Sequence, residues 1–104
     1  MRKTPMDMAT FETKAEQVAE KLKAMGNGRR LMLLCKLVEH REMTVTDLAR
    51  DVGLSQSACS QHLAKMRDEG LVDFQRESQT LWYRIADPRA EILLATLYNL
   101  YCKE

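Results

Sequence analysis

The chain has 104 residues, a length typical of a single domain of roughly 100–150 residues. Its 16 basic and 15 acidic residues give a formal net charge of +1, so overall charge gives no support for nucleic-acid binding. The sequence contains no run of about 18 apolar residues, and its start lacks the apolar core of a secretory signal. Three widely spaced cysteines do not make a disulfide framework. We therefore expect one cytoplasmic domain over residues 1–104, with a flexible arm at residues 1–10 and no membrane association.

Apolar residues recur at helical spacing through the first two thirds of the chain. They predict four helices, over residues 11–25, 29–39, 44–52 and 55–69. Gly26-Asn27-Gly28 is expected to stop the first helix in a left-handed conformation, which glycine and asparagine tolerate. Thr44 followed by Asp47 resembles a capping box at the third helix, and Ser55 is a good N-cap for the fourth.

In the last third of the chain, the residue pattern changes from helical spacing to extended runs. Residues 71–77 and 80–85 are extended runs joined through Ser78 and Gln79, which predicts a β-hairpin. Asp87-Pro88 predicts the start of a last helix over residues 88–101. The apolar surface of that helix is too broad for a lone terminal helix, and the same helix of a second subunit is the simplest cover. The predicted fold is mainly α with a small β-hairpin, in the order of four helices, two strands and a fifth helix.

A tight turn at Gly53-Leu54 joins the third helix to a fourth helix that is rich in small polar side chains, which is typical of a helix-turn-helix. A recognition helix buries one face and presents hydrogen-bonding groups to base edges and phosphates with the other. Glutamine pairs with adenine, serine with either base type, and lysine reaches phosphate or guanine. The candidate DNA-binding residues on this helix are Ser55, Gln56, Ser57, Ser60, Gln61, His62 and Lys65.

The hairpin corresponds to the wing of such a fold, with Arg76, Ser78 and Gln79 near the flanking DNA backbone. Local charge argues against this placement, because four acidic residues offset the nearby basic ones. We expect these acids to lie on the inner or rear side: Asp68, Glu69, Asp73 and Glu77.

Residues 48–72, LARDVGLSQSACSQHLAKMRDEGLV, resemble the matching stretch of the ArsR/SmtB repressors, which are bacterial dimeric sensors of metals and reactive species. The Ser-Gln-Ser-x-x-Ser-Gln-His-Leu pattern at residues 55–63 is highly characteristic, and the resemblance extends over residues 19–102. It implies a winged helix-turn-helix homodimer held together by its first and last helices. It also implies binding to double-stranded operator DNA, an imperfect palindrome, which is released when an inducer lowers the affinity.

The metal ligands of ArsR/SmtB repressors are missing from this sequence. One family site uses Cys-x-Cys within Glu-Leu-Cys-Val-Cys-Asp-Leu, and Thr44 and Thr46 stand at those cysteine positions here. Threonine does not replace cysteine as a ligand for a soft metal. A second family site uses aspartate and histidine on the last helix, which has no histidine here. We therefore expect no metal site and no other cofactor.

Cys35 on the second helix and Cys102 after the last helix resemble the two-cysteine pattern of the sulfide- and persulfide-responsive branch of this family. The matching stretches are residues 34–37 and 100–102. The resemblance implies that reactive sulfur species are the inducer and that they link the two thiols through a disulfide or short polysulfide. The alternative for Cys35 is ordinary packing, because it shares the most apolar face of this helix with Leu31, Leu34 and Val38, and cysteine is often buried.

Other interpretations stay open. Cys59 shares a row with Leu63 and Met66, and we interpret it as core packing. The same repressor could respond to peroxide or to a thiophilic metal at Cys35 and Cys102, although two thiolates are too few for a closed zinc site. A protein-interaction winged helix is a more remote alternative. A thiol enzyme is disfavoured because the chain lacks Cys-x-x-Cys and a phosphate-binding glycine loop, so we predict that the chain is not an enzyme.

Overall fold

The computed structural model describes residues 6–102. The elements in chain order are α1 (Met8–Met25), α2 (Gly28–His40), β1 (Met43–Thr44), α3 (Val45–Val52), α4 (Gln56–Asp68), β2 (Val72–Glu77), β3 (Thr80–Ile85) and α5 (Pro88–Tyr101). The strands form one antiparallel sheet in the order β1-β3-β2. This confirms the predicted mainly helical fold with a β-hairpin. The last helix has its predicted bounds, α3 and β2 differ from theirs by one residue at one end, and α2 and α4 by one residue at each end.

Local hydrogen bonds fix the ends of α3 and α4. Thr44 Oγ1 accepts from the backbone N–H of Asp47 at 3.2 Å, and Ser55 Oγ accepts from that of Ala58 at 3.1 Å. Gly53 follows α3 with φ +76°, a left-handed conformation that costs glycine little. The predicted N-caps Thr44 and Ser55 are therefore confirmed, while the carboxylate of Asp47, the other residue of the predicted capping box, pairs with Arg50 at 3.2 Å.

Two predictions about α1 are wrong. The helix begins at Met8 because Asp7 caps it, with its Oδ1 accepting from the backbone N–H of Ala9 at 3.1 Å. Residues 8–10 are helical and do not belong to a flexible arm, while residues 1–5 of that predicted arm lie outside the described residues. At the other end, Gly26 has φ −77° and is not left-handed. Asn27 instead caps the next helix, because its Oδ1 accepts from the backbone N–H of Arg29 at 3.0 Å.

Strand β1 was not predicted. It pairs Met43 with Tyr83 and Thr44 with Trp82 of β3. Two residues are too few for an alternating pattern to be recognised in a sequence. The strand joins the start of α3 to the hairpin, so the hairpin is attached to the helix pair that precedes it.

The core lies where α2, α3 and α4 meet the sheet. The prediction that Cys59 packs in a core row with Leu63 and Met66 is confirmed, since all three are 0% exposed. The other large side chains that are fully buried are Leu33, Leu34, Leu37, Leu48, Leu71 and Val72. No helix within residues 6–102 has both the length and the apolar character needed to span a bilayer.

Helix α2 turns a different face to the core from the predicted one. The predicted face included Cys35, but the helix buries Leu33, Leu34 and Leu37, and Cys35 is exposed. Residues 31–38 of this helix are apolar except for Lys36, so their periodicity does not select one face. The packing alternative for Cys35 is therefore not supported.

Candidate functional site

Helix α4 is held by one face and exposes the other. Its buried residues are Cys59, Leu63 and Met66. The opposite face offers hydroxyl, amide and ammonium groups, as a recognition helix requires. The predicted contact residues that are exposed on or beside this helix are Ser55, Gln56, Ser57, Ser60, Gln61 and Lys65.

Gln56 also forms a contact with the preceding helix. Its Nε2 donates to Thr46 Oγ1 at 3.1 Å, on the exposed side of the helix pair. Thr46 and the capping Thr44 are the two threonines at the cysteine positions of the family's metal site, and both are engaged in hydrogen bonds here. Across residues 6–102, no cluster of three or more His, Cys, Asp or Glu residues is arranged to hold a metal ion.

His62 is directed at α2 and not at the exposed face of α4. Arg30 Nε donates to His62 Nδ1 at 2.9 Å, and Arg30 Nη1 donates to the carbonyl of Ala24 at 3.3 Å. Desolvation lowers the pKa of His62, and the charge of Arg30 lowers it further. A neutral His62 is the form that can accept this hydrogen bond. Its geometry therefore favours support of α4 from behind over contact with DNA.

The hairpin of β2 and β3 forms the wing. Glu77 pairs with Thr80, so Ser78 and Gln79 make the tip, with Ser78 at φ +57°. The predicted contact residues Arg76, Ser78 and Gln79 are all exposed.

Arg67 holds the wing against α4, a role that the sequence did not reveal. Its Nε donates to Asp73 Oδ1 at 3.1 Å, and its guanidinium lies 4.3 Å from the centre of the Phe74 ring. Asp73 also accepts from the backbone N–H of Phe74 at 2.8 Å. That bond is the main cause of the lowered pKa of Asp73, followed by the bond from Arg67.

The four acidic residues near α4 lie in different surroundings. Asp73 is paired with Arg67, while Asp68 and Glu69 line a cleft between α1 and α4. Glu77 remains exposed on the wing. The expected inner or rear placement of these acids stays a prediction, since Lys65 lines the same cleft as Asp68 and Glu69, and Glu77 lies beside the predicted contacts of the wing.

Cys35 and Cys102 are exposed free thiols, whereas the free thiol of Cys59 is buried. Cys35 borders a groove of about 520 Å³ between α2 and α5, whose apolar lining includes Met32, Val38, Leu94 and Tyr98. Although Cys35 as a residue is exposed, this groove partly desolvates its thiol. Desolvation raises the pKa of Cys35, and the negative charge of an ionised Cys102 raises it further.

Apolar side chains lie exposed along α5 and α1. On α5, only Ala90 and Leu94 are buried, while Leu100 is 70% and Tyr101 83% exposed. The other large apolar side chains exposed on these two helices are Met8, Phe11, Leu22, Ile92 and Tyr98. Exposed large apolar side chains in this number favour an interaction surface on these two helices.

Two helices joined by a glycine turn, an exposed polar face on the second and a β-hairpin held against it define a winged helix-turn-helix protein. Residues 27–73 match the family described as bacterial regulatory proteins of the arsR family. The chain belongs to this family, as its resemblance to the ArsR/SmtB repressors predicted, because curated members match it over almost their whole length.

Three relatives illustrate the match. The chain is 46% identical over 96 residues to the HTH-type transcriptional regulator YgaV of Escherichia coli K12, covering 92% of this chain and 97% of the relative. It is 38% identical over 103 residues to the transcriptional activator HlyU of Vibrio cholerae, covering 99% and 94%. It is 34% identical over 99 residues to the biofilm growth-associated repressor of Xylella fastidiosa, covering 95% and 86%.

Solved structures agree with the sequence matches. The repressor BigR from Xylella fastidiosa superposes with a TM-score of 0.85 at 34% identity, covering 95% of this chain and all of that one (100%). Reduced HlyU from Vibrio cholerae superposes with a TM-score of 0.82 at 40% identity, covering 89% and 97%. A homodimeric winged helix-turn-helix DNA-binding domain from Mycobacterium bovis superposes with a TM-score of 0.77 at 31% identity, covering 96% of this chain and 89% of that one. The chain is thus a transcriptional regulator and, as predicted, not an enzyme.

Proposed function

We propose that the chain is a homodimeric repressor that binds operator DNA in its reduced form and releases it when reactive sulfur species bridge Cys35 and Cys102. The proposal rests above all on the thiol pair: both cysteines are exposed, and the charge of Cys102 raises the pKa of Cys35. The relatives named above include a repressor and an activator, so repression by this chain is part of the proposal.

Dimerisation is supported by the apolar surface of α1 and α5. Side chains such as Leu22, Ile92 and Leu100 are half exposed or more in the single chain. A second copy covers them through the same surface, since a twofold interface is self-complementary. The Mycobacterium bovis relative, which is described as homodimeric, supports the same arrangement.

In the proposed complex, α4 of each subunit enters the major groove of one half-site. Gln56 and Gln61 contact base edges, with serines Ser55, Ser57 and Ser60 beside them, and Lys65 contacts phosphate or guanine. Arg76, Ser78 and Gln79 of the wing contact the flanking backbone. The exposure of all these residues on α4 and the wing supports their roles.

The proposed inducer is a persulfide, RSSH. One cysteine thiolate attacks its outer sulfur and expels RS⁻, so that this cysteine becomes a persulfide. The other thiolate then attacks the cysteine sulfur and expels HS⁻, which leaves a disulfide. The two thiols lose two electrons, and the transferred sulfur atom gains them as sulfide. If both cysteines first become persulfides, the same displacement leaves a trisulfide.

Such a bridge joins α2 to the end of α5. Because α5 belongs to the proposed dimer interface, a shift of this helix relative to α2 changes the separation of the two recognition helices. Half-sites one helical turn apart tolerate little change in that separation, so the operator is released.

The test compares operator affinity before and after treatment with a small-molecule persulfide. A duplex selected by the reduced wild-type protein from a random pool serves as operator, and anisotropy reports binding. We expect wild type and Cys59→Ala to release DNA, while Cys35→Ser and Cys102→Ser bind normally and do not respond. Release by both serine variants would contradict the thiol assignment.

Further arms separate the alternatives. Mass spectrometry distinguishes a disulfide from a bridge that has gained sulfur, and a peroxide arm tests the other oxidant. A thiophilic metal that protects both thiols and lowers affinity would favour the metal alternative. Failure to bind any duplex at low salt, where phosphate contacts are strongest, would favour a protein-interaction module.

A further inference from the structure

We propose that Lys21 is a positioning residue for operator binding, because it joins the C-terminal end of α4 to the start of α5. It thereby fixes the recognition helix relative to the helices of the proposed dimer interface. This inference rests on the DNA-binding part of the proposed function. It does not depend on the identity of the inducer.

A single ammonium group on α1 contacts the ends of two other helices. Lys21 Nζ donates to the carbonyl of Glu69 at 2.7 Å and lies 3.4 Å from Asp87 Oδ2. Glu69 is the C-cap of α4, and Asp87 is the N-cap of α5. These two contacts, termed the Lys21 bridge, connect parts of the chain that the whole wing separates in sequence.

The end of α4 is shaped to receive this cation. The last carbonyls of a helix lack intrahelical partners, and the negative end of the helix dipole favours a positive charge. Gly70 turns the chain directly after Glu69 with φ +76°, and the backbone N–H of Leu71 donates to the carbonyl of Met66 at 2.9 Å. The Glu69 carbonyl is therefore presented to Lys21. A Cβ at Gly70 would lie 3.4 Å from Lys21 Nζ, which shows how closely the ammonium approaches this turn.

The other end of the Lys21 bridge is equally fixed. Asp87 is only 7% exposed, and its Oδ1 accepts from the backbone N–H of Arg89 at 3.0 Å. Arg89 also donates to both carboxylate oxygens, from Nε at 2.9 Å and from Nη2 at 3.0 Å. These bonds, those from Arg89 first, lower the pKa of Asp87 to about 2. Asp87 is thus a carboxylate of fixed orientation at neutral pH, and it holds Lys21 toward α4.

The Lys21 bridge and the thiol pair lie at opposite ends of α5. The helix has 14 residues, so it spans about 21 Å from Asp87 to Cys102. A rigid helix that moves at its thiol end also moves at its start. Through Lys21, such a movement reaches Glu69 and changes the orientation of α4.

The test uses three substitutions on α1. Lys21→Met keeps most of the side-chain length and removes the ammonium, Lys21→Arg keeps a cation, and Lys23→Met removes the same charge from the same helix as a matched control. Each reduced protein is titrated with the duplex selected by wild type, and with duplexes carrying one base pair more or fewer between the half-sites. Light scattering and thermal unfolding confirm that each variant is a folded dimer.

We expect Lys21→Met to bind the selected duplex about tenfold more weakly, as for the loss of one charged hydrogen bond. We also expect it to lose most of the wild-type preference for one spacing, which a merely structural role would not change. Lys21→Arg should retain that preference, and Lys23→Met should behave as wild type. A spacing preference in Lys21→Met equal to that in Lys23→Met would overturn the inference.

A second measurement needs no DNA. Amide hydrogen exchange in the last turn of α4 and at Gly70 and Leu71 should be faster in Lys21→Met than in Lys23→Met, and unchanged exchange would also overturn the inference. If wild type selects no duplex, the proposed function fails, and the exchange result alone decides whether Lys21 holds the end of α4. If Lys21→Met does not fold, Lys21→Gln replaces it in both measurements.

Discussion

Helices α4 and α5 have similar lengths, 13 and 14 residues, but they relate to the rest of the chain in opposite ways. Helix α4 buries Cys59, Leu63 and Met66 completely and exposes polar groups. Helix α5 buries Ala90 and Leu94 and leaves Leu100 and Tyr101 mostly exposed. One chain therefore completes the packing of its recognition helix, whereas α5 needs a second copy to bury its apolar surface. Substitutions beneath α4 should therefore reduce the stability of the fold itself, whereas substitutions on the outer face of α5 should act on assembly.

The largest effect is expected in the core beneath α4. Leu63→Ala removes a fully buried side chain, and Leu→Ala substitutions of this kind cost about 3–5 kcal/mol of the free energy of unfolding. Urea titration at two protein concentrations measures the loss, which should be similar at both. A loss below about 1 kcal/mol would mean that the inner face of α4 is not packed as described.

A charge on the outer face of α5 should act on assembly. Leu100→Asp places a carboxylate where the proposed interface is apolar, so we expect a monomer that keeps the fold. Because the two half-sites are then bound separately, operator affinity falls by about a hundredfold or more. Light scattering and anisotropy measure the two quantities. Gln75→Asp, on the exposed wing and outside the proposed interface, is the control for added charge in the light-scattering measurement, and a dimeric Leu100→Asp protein would contradict this assignment of the interface.

Asp87 caps α5 and contacts Lys21 of α1, and its contribution to the free energy of unfolding should depend on pH. Its folded-state pKa of about 2 is below the ordinary value of 3.8, so its charge stabilises the fold above pH 3.8, and this stabilisation is lost as the pH falls through 2. Asp87→Asn keeps a capping side chain and removes the charge. We expect a loss of at most about 2 kcal/mol near neutral pH, since Arg89 is largely exposed and solvent screens the pair.

Urea titrations between about pH 2 and pH 7 measure the free energy of unfolding of wild type and of Asp87→Asn. The difference between the two proteins should shrink as the pH falls below about 4. Asp68→Asn removes an exposed carboxylate and serves as the control. A difference that does not change with pH would contradict the assigned ionisation of Asp87.

Local signals predicted most of the fold and the polar face of α4. The caps at Thr44, Ser55 and Asp87 act within three residues, and the alternation in β2 and β3 is also local, so one stretch of sequence suffices to recognise each. The predicted pair of Cys35 and Cys102 depended on a family resemblance, because the apolar residues around α2 gave no information about which face is exposed.

The remaining features depend on contacts between distant parts of the chain. His62 was predicted beside the DNA, but its orientation is set by Arg30, which belongs to another helix. Lys21 is one of several lysines on the polar side of α1, and only the folded chain brings it to Glu69. Side chains of this kind carry no local pattern, so the sequence alone does not reveal the connections that position α4.

The smallest expected effect concerns the chemistry of the thiol pair. Desolvation is the main cause of the raised pKa of Cys35, and the charge of Cys102 is the second. Cys102→Ser removes only the second cause, so the pKa of Cys35 should fall part of the way toward its ordinary value. The thiolate fraction of Cys35 then rises at neutral pH, and its alkylation becomes faster.

Alkylation by iodoacetamide across a pH series, followed by mass spectrometry in a Cys59→Ala background, measures this change. Tyr101→Phe, beside Cys102 in sequence, is the control for altering the end of α5 without removing the thiol. An unchanged alkylation profile in Cys102→Ser would mean that the charge of Cys102 does not affect the ionisation of Cys35. The proposal that sulfur links Cys35 to Cys102 would then lose the support of this charge effect, while the proposed DNA contacts of α4 and the wing would be unaffected.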